Sequence, residues 1–275
     1  MSDPTRALRL IAGVWDNADL LPRWLEHHRL MGVASVVAMD FGSTDGSQQI
    51  LTDPQWRDFV DVIDFSGLTT DTNQVMLDYA RATWNQGWVH YIDPDEFLFT
   101  PSGGVDELVE RGIAAGADVV VVPRFHMTGE RSLAAAEVPV DVPDLTLRWC
   151  EQDMTKVMVD LASSARADNP GHEGIGGSQL ELTGIESCLL HYPTRSYAKF
   201  AEKVDHADLT MSVNDYPEGF AFHWVRWIEI RNAGGLREEY LDQFLADGDV
   251  PQLITDGEYA REYRLATVKP SEPVA

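Results

Sequence analysis

Over its first 120 residues the chain keeps switching between two apolar spacings, and that alternation restricts its fold more than any other feature. "LRLIAGVW" (8–15) is a short apolar run of strand type. In the following "NADLLPRWLEHHRLM", Leu21, Trp24, Leu25, His28 and Met31 fall at i, i+3, i+4, i+7 and i+10, which is one face of a helix stopped by Gly32. "VASVVAM" reads as a second strand, the turn "DFGSTDGS" leads into a short helix "SQQIL", and "FVDVIDF" reads as a third strand. "DTNQVMLDYARATWNQG" is a helix that Asp71 is placed to cap, and "WVHYI" is a fourth strand running into a group of carboxylates. A helix near 104–115 precedes "ADVVVV", whose composition suits a strand buried on both faces. This order predicts an α/β fold with a mostly parallel central sheet, flanking helices and right-handed crossovers. Ligands of such sheets sit beyond the carboxyl ends of the strands, where Asp40 and Asp93 both fall.

A chain of 275 residues buries a sizeable core and suits one large domain with a smaller appendage. The expected division is a domain over 1–200 and a helical C-terminal extension with a tail over 201–275. Between 124 and 190 the Pro/Gly-rich loops "PVDVPDL" and "RADNPGHEGIGG" surround the strand candidates "LTLRWC" and "KVMVDL", a pattern of a binding surface built from loops. Cys150 and Cys188 lack CxxC spacing, so neither a zinc site nor a disulfide framework is implied. No run approaches the ~18 apolar residues of a membrane span, and the N-terminus lacks a signal-peptide pattern, so a soluble, cytoplasmic protein is expected. The formal net charge of -24 repels nucleic acid and anionic lipid, which argues against either as a partner. It also means that a small anionic ligand needs a metal or a few well-placed Arg and Lys side chains.

The carboxylates lie in "YIDPDEFLF", where Asp93, Asp95 and Glu96 are bracketed by apolar residues suited to an interior. Burying one unpaired carboxylate is costly, and neighbouring carboxylates raise one another's pKa unless a positive charge stands among them. A divalent cation is the natural counter-charge. Asp93 and Asp95 are two apart, so in an extended segment they share a side, and Pro94 between them restricts one φ angle. Two hard oxygen ligands leave most of an octahedral shell open, which Mg2+ or Mn2+ fills with water and substrate phosphates. The plainer alternative is a solvated turn after a strand; the apolar bracketing and the strand-end Asp40 favour the metal. An EF-hand is excluded, because position six is Leu98 rather than glycine and position twelve is Gly104 rather than glutamate.

Three blocks in this order, "LPRWLEHHRLMGVASVVAMDFGSTDGS", "WVHYIDPDEFLF" and "HYPTRSYAKFAEK", resemble glycosyltransferase family 2-like proteins of the GT-A fold, and within them the bacterial subgroup marked by a DxDEF segment. The resemblance spans residues 8 to 205 and departs at Asp16 and Asn17, where the family carries Asn-Glu. It implies a Rossmann-like GT-A domain that moves a sugar from a nucleotide-diphosphate sugar, a UDP-sugar being favoured, to an unknown acceptor hydroxyl such as that of a glycan, with inversion. On that likeness Asp93 and Asp95 hold Mn2+ or Mg2+ on the donor diphosphate, Glu96 supports their loop, and Phe97 and Phe99 are core. Asp40 contacts the base or ribose of the donor, or else caps the turn after it. His191, at the end of "SCLLHY", is the third metal ligand with His172 as its rival, while Arg195 and Lys203 neutralise the diphosphate. Arg81 approaches the donor or makes a surface salt bridge. Glu173 is the general base on the acceptor side, with Asp153 and Glu130 as looser matches. His27 and His28 match a family feature without an obvious chemical role. Two other readings stay open. Nucleotidyl transfer normally brings a Gly-rich, Lys/Arg-containing loop after the first strand, which "GVWDNAD" lacks; a catalytically silent nucleotide-sugar-binding module would bind the donor without turnover.

Overall fold

The computed structural model describes residues 3–64, 72–136, 140–168, 171–213 and 222–267. They form two compact units, one from the residues up to Phe125 with Gln152–His191, the other from His126–Glu151 with Tyr192–Thr267. In chain order the first unit supplies β1 (Leu8–Val14), α1 (Leu21–Leu30), β2 (Ser35–Asp40), α2 (Ser47–Leu51), β3 (Val60–Asp64), α3 (Thr72–Trp84), β4 (Trp88–Tyr91), β5 (Glu96–Phe99), α4 (Asp106–Ala115) and most of β6 (Val119–Thr128). α5 (Arg131–Ala135) and β7 (Leu147–Trp149) follow in the second unit. The chain then returns to the first for β8 (Met154–Asp160), β9 (Arg166–Ala167), β10 (Gly174–Ile175), β11 (Gln179–Glu181) and β12 (Cys188–His191). The second unit ends with α6 (Tyr197–Val213), α7 (Phe222–Asn232), α8 (Leu236–Leu241), α9 (Val250–Thr255), β13 (Tyr259–Arg261) and α10 (Arg264–Thr267). The helix expected to be capped by Asp71 is α3, and Asp71 itself lies outside the described residues.

In the first unit the strand order is β3-β2-β1-β4-β8-β6. β1 to β4 run parallel, with Val14 beside Asp40 and Asp40 beside Asp64 in register, so their carboxyl ends share one edge. β8 is antiparallel to both of its neighbours, which leaves β6 pointing the same way as β4. The alternation in the sequence therefore yields the expected mostly parallel sheet flanked by helices, with one reversed strand in this path. The parallel strands are apolar at successive positions because both of their faces are covered. On one face Ile11, Met39, Val89 and Tyr91 pack with Met76, Leu77 and Ala80 of α3. On the other lies α4, where a Cβ on Gly112 would stand 2.9 Å from the ring of Trp88, so only glycine lets the helix come this close.

"EFLF" is not merely core but a strand of its own. A turn from Asp93 to Glu96 separates it from β4, and β5 pairs antiparallel with β12, His191 opposite Glu96 and Leu190 opposite Phe97. The backbone groups on its other edge need partners as well. Side chains of α1 supply them: Trp24 Nε1 donates to the Glu96 carbonyl at 2.9 Å, His27 Nε2 donates to the Leu98 carbonyl at 2.7 Å, and the Leu98 N–H donates to His28 Nε2 at 3.3 Å. His28 Nδ1 in turn donates to the Trp24 carbonyl at 2.9 Å, so with Nε2 accepting, the His28 ring is the neutral Nδ1–H tautomer. The histidine pair thus stands in for a neighbouring strand and fixes β5 against the helix.

These rings are charged only at a cost. Burial pushes His27 down to about 4 and His28 well below its ordinary value, and it pushes His90, fully buried on β4, down to about 3. The unfolded chain protonates the same groups near the ordinary value of 6.5, so it binds more protons than the native chain between that value and the depressed ones. The stability is fully present above pH 6.5 and is lost as pH falls through 6 and 5 towards 4. A thermal melt series is expected to give a flat melting temperature from about pH 7 to 8 and a steep fall below about 6. A melting temperature unchanged down to about pH 5 would show that the histidines are not held neutral in this way.

Within the second unit, β7 pairs antiparallel with Met127 and Thr128 at the end of β6 and with β13. α6, α7 and α8 gather around Phe200, Trp227 and Tyr240, and the buried Glu239 accepts from Arg226 at 2.6 and 2.7 Å and from Trp227 Nε1 at 3.0 Å. Among the described residues no helix is long and apolar enough to cross a membrane.

Candidate functional site

β4 delivers the chain to the shared edge of the sheet, where the DPDE segment folds into a closed turn. The Glu96 N–H donates to the Asp93 carbonyl at 2.9 Å, and the Glu96 carboxylate reaches back to accept from the Asp93 N–H at 3.0 Å. Glu96 is fully buried, and its other oxygen accepts from Arg124 Nη1 at 2.8 Å. It therefore braces the loop, as its expected supporting role requires.

The turn is one arc of a ring of charged groups, all of them in the first unit. Lys156 of β8 places Nζ 2.6 Å from Asp93 Oδ2 and 3.7 Å from Glu96 Oε2. Arg124 of β6 joins Glu96 to Asp153, with Nη2 at 2.7 Å from Asp153 Oδ2. Asp153 Oδ2 lies 3.7 Å from His191 Nδ1, and His191 Nε2 lies 3.6 Å from Asp95 Oδ2. The register of β5 with β12 explains the last contact, since it sets His191 opposite Glu96 and so beside Asp95. Around the ring each carboxylate neighbours a cation or an imidazole.

Burial works against the charge on Lys156, but Asp93 and Glu96 outweigh it and hold the ammonium above its ordinary value. Burial likewise works to raise Asp153, but His191 and Arg124 prevail and hold its carboxyl well below the usual carboxylate range. The ring has an inner and an outer half. Lys156 and Glu96 have side chains only 1% and 0% exposed, whereas those of Asp93, Asp95, Asp153 and His191 all reach solvent, Asp93 being 50% exposed. The contacts that close the ring join four carboxylates to two permanent cations, Arg124 and Lys156, an excess of negative charge within the ring itself. A divalent ion would offset that excess, and Asp95 together with Nε2 of His191 offers one carboxylate and one imidazole donor of a kind that suits Mn2+ or Mg2+.

The other expected residues have definite places. Asp40, buried at the carboxyl end of β2, accepts from the Ser43 N–H at 3.0 Å and so caps the turn. Asp16, with a positive φ of 49°, accepts from the Thr44 and Asp45 N–H groups at 2.6 and 3.2 Å, and the Asn17 N–H donates to Ser47 Oγ at 2.8 Å. The loop after β1 is thereby tied to the loop after β2, which gives the departure at Asp16 and Asn17 a structural use. Arg81 donates through Nη2 to the carbonyls of Ser163 and Ala165, which ties α3 to that loop. His172 Nδ1 donates to the Thr155 carbonyl at 2.6 Å while Thr155 Oγ1 donates to the His172 carbonyl at 2.7 Å, and burial lowers its pKa. Glu173 is exposed on the turn between β9 and β10, where its N–H donates to Asp168 Oδ1 at 2.8 Å. Arg195, Lys203 and Glu130 belong to the second unit, in which Glu130 pairs with Arg261 at 2.6 Å and the Arg195 carbonyl accepts from Tyr240 at 2.9 Å.

Lys156 and Arg124 escape a reading of the sequence. The available signal is a lone cation in each of two strands of otherwise core composition, "KVMVDL" and the continuation of "ADVVVV". A cation there needs a buried counter-charge. His126 follows two residues after Arg124 on β6, so strand alternation gives both side chains the same face of that strand.

No family model matches the sequence, and no curated protein matches it significantly. Among solved structures, S. aureus TarS 1-349 is similar at 12% identity and a TM-score of 0.46, over 90% of this chain and 78% of that one. The same protein in complex with UDP-GlcNAc gives 11% identity and a TM-score of 0.45, over 90% of this chain and 79% of that one. HddC from Yersinia pseudotuberculosis gives 11% identity and a TM-score of 0.40, over 72% of this chain and 98% of that one. These are coarse likenesses of fold.

Proposed function

We propose that this protein is a metal-dependent glycosyltransferase that takes a sugar from a nucleotide-diphosphate donor, a UDP-sugar first among them, and transfers it to an acceptor hydroxyl. The observation that carries the reading is the placement of His191 between Asp95 and Asp153, with Asp93 in the same turn as Asp95, at the edge of a parallel sheet where ligands bind. Asp95 and His191 would hold Mn2+ or Mg2+. A bound divalent ion supplies Lewis-acid stabilisation of the charge that develops on the leaving diphosphate. The chain's own work is positioning: Glu96 closes the turn, Arg124 holds both Glu96 and Asp153, and the β5–β12 pairing carries His191 to the aspartates. Asp40 serves the nucleoside from the neighbouring strand end, and Glu173 is the acceptor-side base, its exposed turn leaving the carboxylate open to an incoming hydroxyl. Arg195 and Lys203 keep their role towards the diphosphate on chemistry alone.

The test is a melting experiment with UDP and UDP-sugars, with and without Mn2+. A ligand at about 100 times its Kd stabilises the native state by about 2.7 kcal/mol, a shift of several degrees at this chain length. The shift is expected to need Mn2+ and to vanish with EDTA, and E173Q is expected to keep it while lowering kcat by about 10²-fold or more. Stabilisation by UDP that is indifferent to Mn2+ would refute the metal-dependent reading.

A further inference from the structure

The two aspartates of the DPD segment do not have equivalent surroundings, and the difference comes from Lys156. Its side chain, 1% exposed, crosses from β8 and ends 2.6 Å from one oxygen of Asp93. Asp95 instead faces an imidazole at 3.6 Å. A divalent cation placed on Asp93 would stand beside a buried ammonium and be repelled by it, whereas one placed on Asp95 would lie next to Nε2 of His191, an imidazole nitrogen of the type that ligates metals.

We propose that Lys156 is a positioning residue that ties up the first aspartate and thereby directs the divalent cation to Asp95 and His191. The proposal rests on the metal-dependent reading and refines it. Asp93 becomes the partner of a lysine that aims it and lowers the charge of the site, and Asp95 becomes the principal carboxylate ligand. Lys156 touches neither donor nor acceptor in this scheme; it acts through Asp93. Its removal is structurally tolerable for a specific reason. Asp93 is half exposed and can be hydrated when the ammonium is lost, while Glu96 keeps both Arg124 and the Asp93 N–H. Methionine fills a similar volume without charge.

The experiment titrates the full chain with Mn2+ alone, following free Mn2+ by electron paramagnetic resonance, with a thermal melt of each variant alongside. D95N is expected to weaken Mn2+ binding by more than about tenfold, and D93N by less than about threefold. K156M is expected to bind Mn2+ about three- to tenfold more tightly, because it removes a positive charge and releases Asp93. A lysine with a merely structural role predicts no tightening. Equal losses in D93N and D95N, or weaker binding by K156M, would overturn the inference while leaving the metal site in place. If instead the wild-type chain does not bind Mn2+, or D95N binds it like wild type, the metal-dependent reading itself falls and the role of Lys156 falls with it. Should K156M not fold, the comparison of D93N with D95N decides alone, since both leave the buried lysine intact.

Discussion

Replacing Asp95 by alanine is expected to reduce Mn2+-dependent release of the nucleotide from a sugar donor by about 10³-fold while leaving the melting temperature close to that of wild type. The two halves of that result have separate causes. Asp95 faces His191 at 3.6 Å on the outer, partly exposed half of the ring, and on the proposed reading its carboxylate holds the cation. The buried contacts of Glu96 with Arg124 and of Lys156 with Asp93 do not pass through it, so truncation leaves the interior paired. Turnover and a circular dichroism melt on the same preparation make the measurement. If D95A retains turnover within about tenfold, a cation at this aspartate does not stabilise the reaction.

Replacing Glu96 gives the opposite pattern. Its carboxylate is fully buried and meets Arg124 at 2.8 Å, Lys156 at 3.7 Å and the Asp93 N–H at 3.0 Å, so alanine leaves two buried cations short of a partner and one N–H without its acceptor. Removing one side of a buried ion pair costs about 3–5 kcal/mol. At this chain length that is a fall of roughly 10 °C in melting temperature. Glutamine keeps the shape and an acceptor oxygen but removes the charge, and E96Q is expected to fall between wild type and E96A. Thermal and urea melts of both variants test this ordering. An E96A melt within about 1 kcal/mol of wild type would show that the ring contributes little to folding.

The residues of the proposed cation site and those around it are legible in the sequence to different degrees. Asp93 and His191 close strand-like runs, with Asp95 two residues beyond Asp93, and strand ends are where an α/β sheet exposes its chemistry. The structure brings Asp95 and His191 within 3.6 Å of each other although they are far apart in sequence. Arg81 is not readable in this way, since a helix position says nothing of the loop across from it, and Ser163 and Ala165 lie more than 80 residues away. Asp40 and Glu96 show the same limit from the other side. Both are single carboxylates in a pattern, and only contacts distinguish a turn cap from a brace between two cations.

The sequence by itself determined the alternation of strands and helices, the parallel order that follows from it, and the concentration of carboxylates at one sheet edge. Apolar spacing and strand ends are local properties, and a chain displays them without reference to its partners. Tertiary structure alone decided that Lys156 meets Asp93 across 63 positions, that Arg124 links Glu96 with Asp153, and that His27 and His28 take the place of a strand beside β5. Alternation along a strand tells which side chains face inward; which charge waits there depends on the register of the neighbouring strand, and that is set only when the sheet closes.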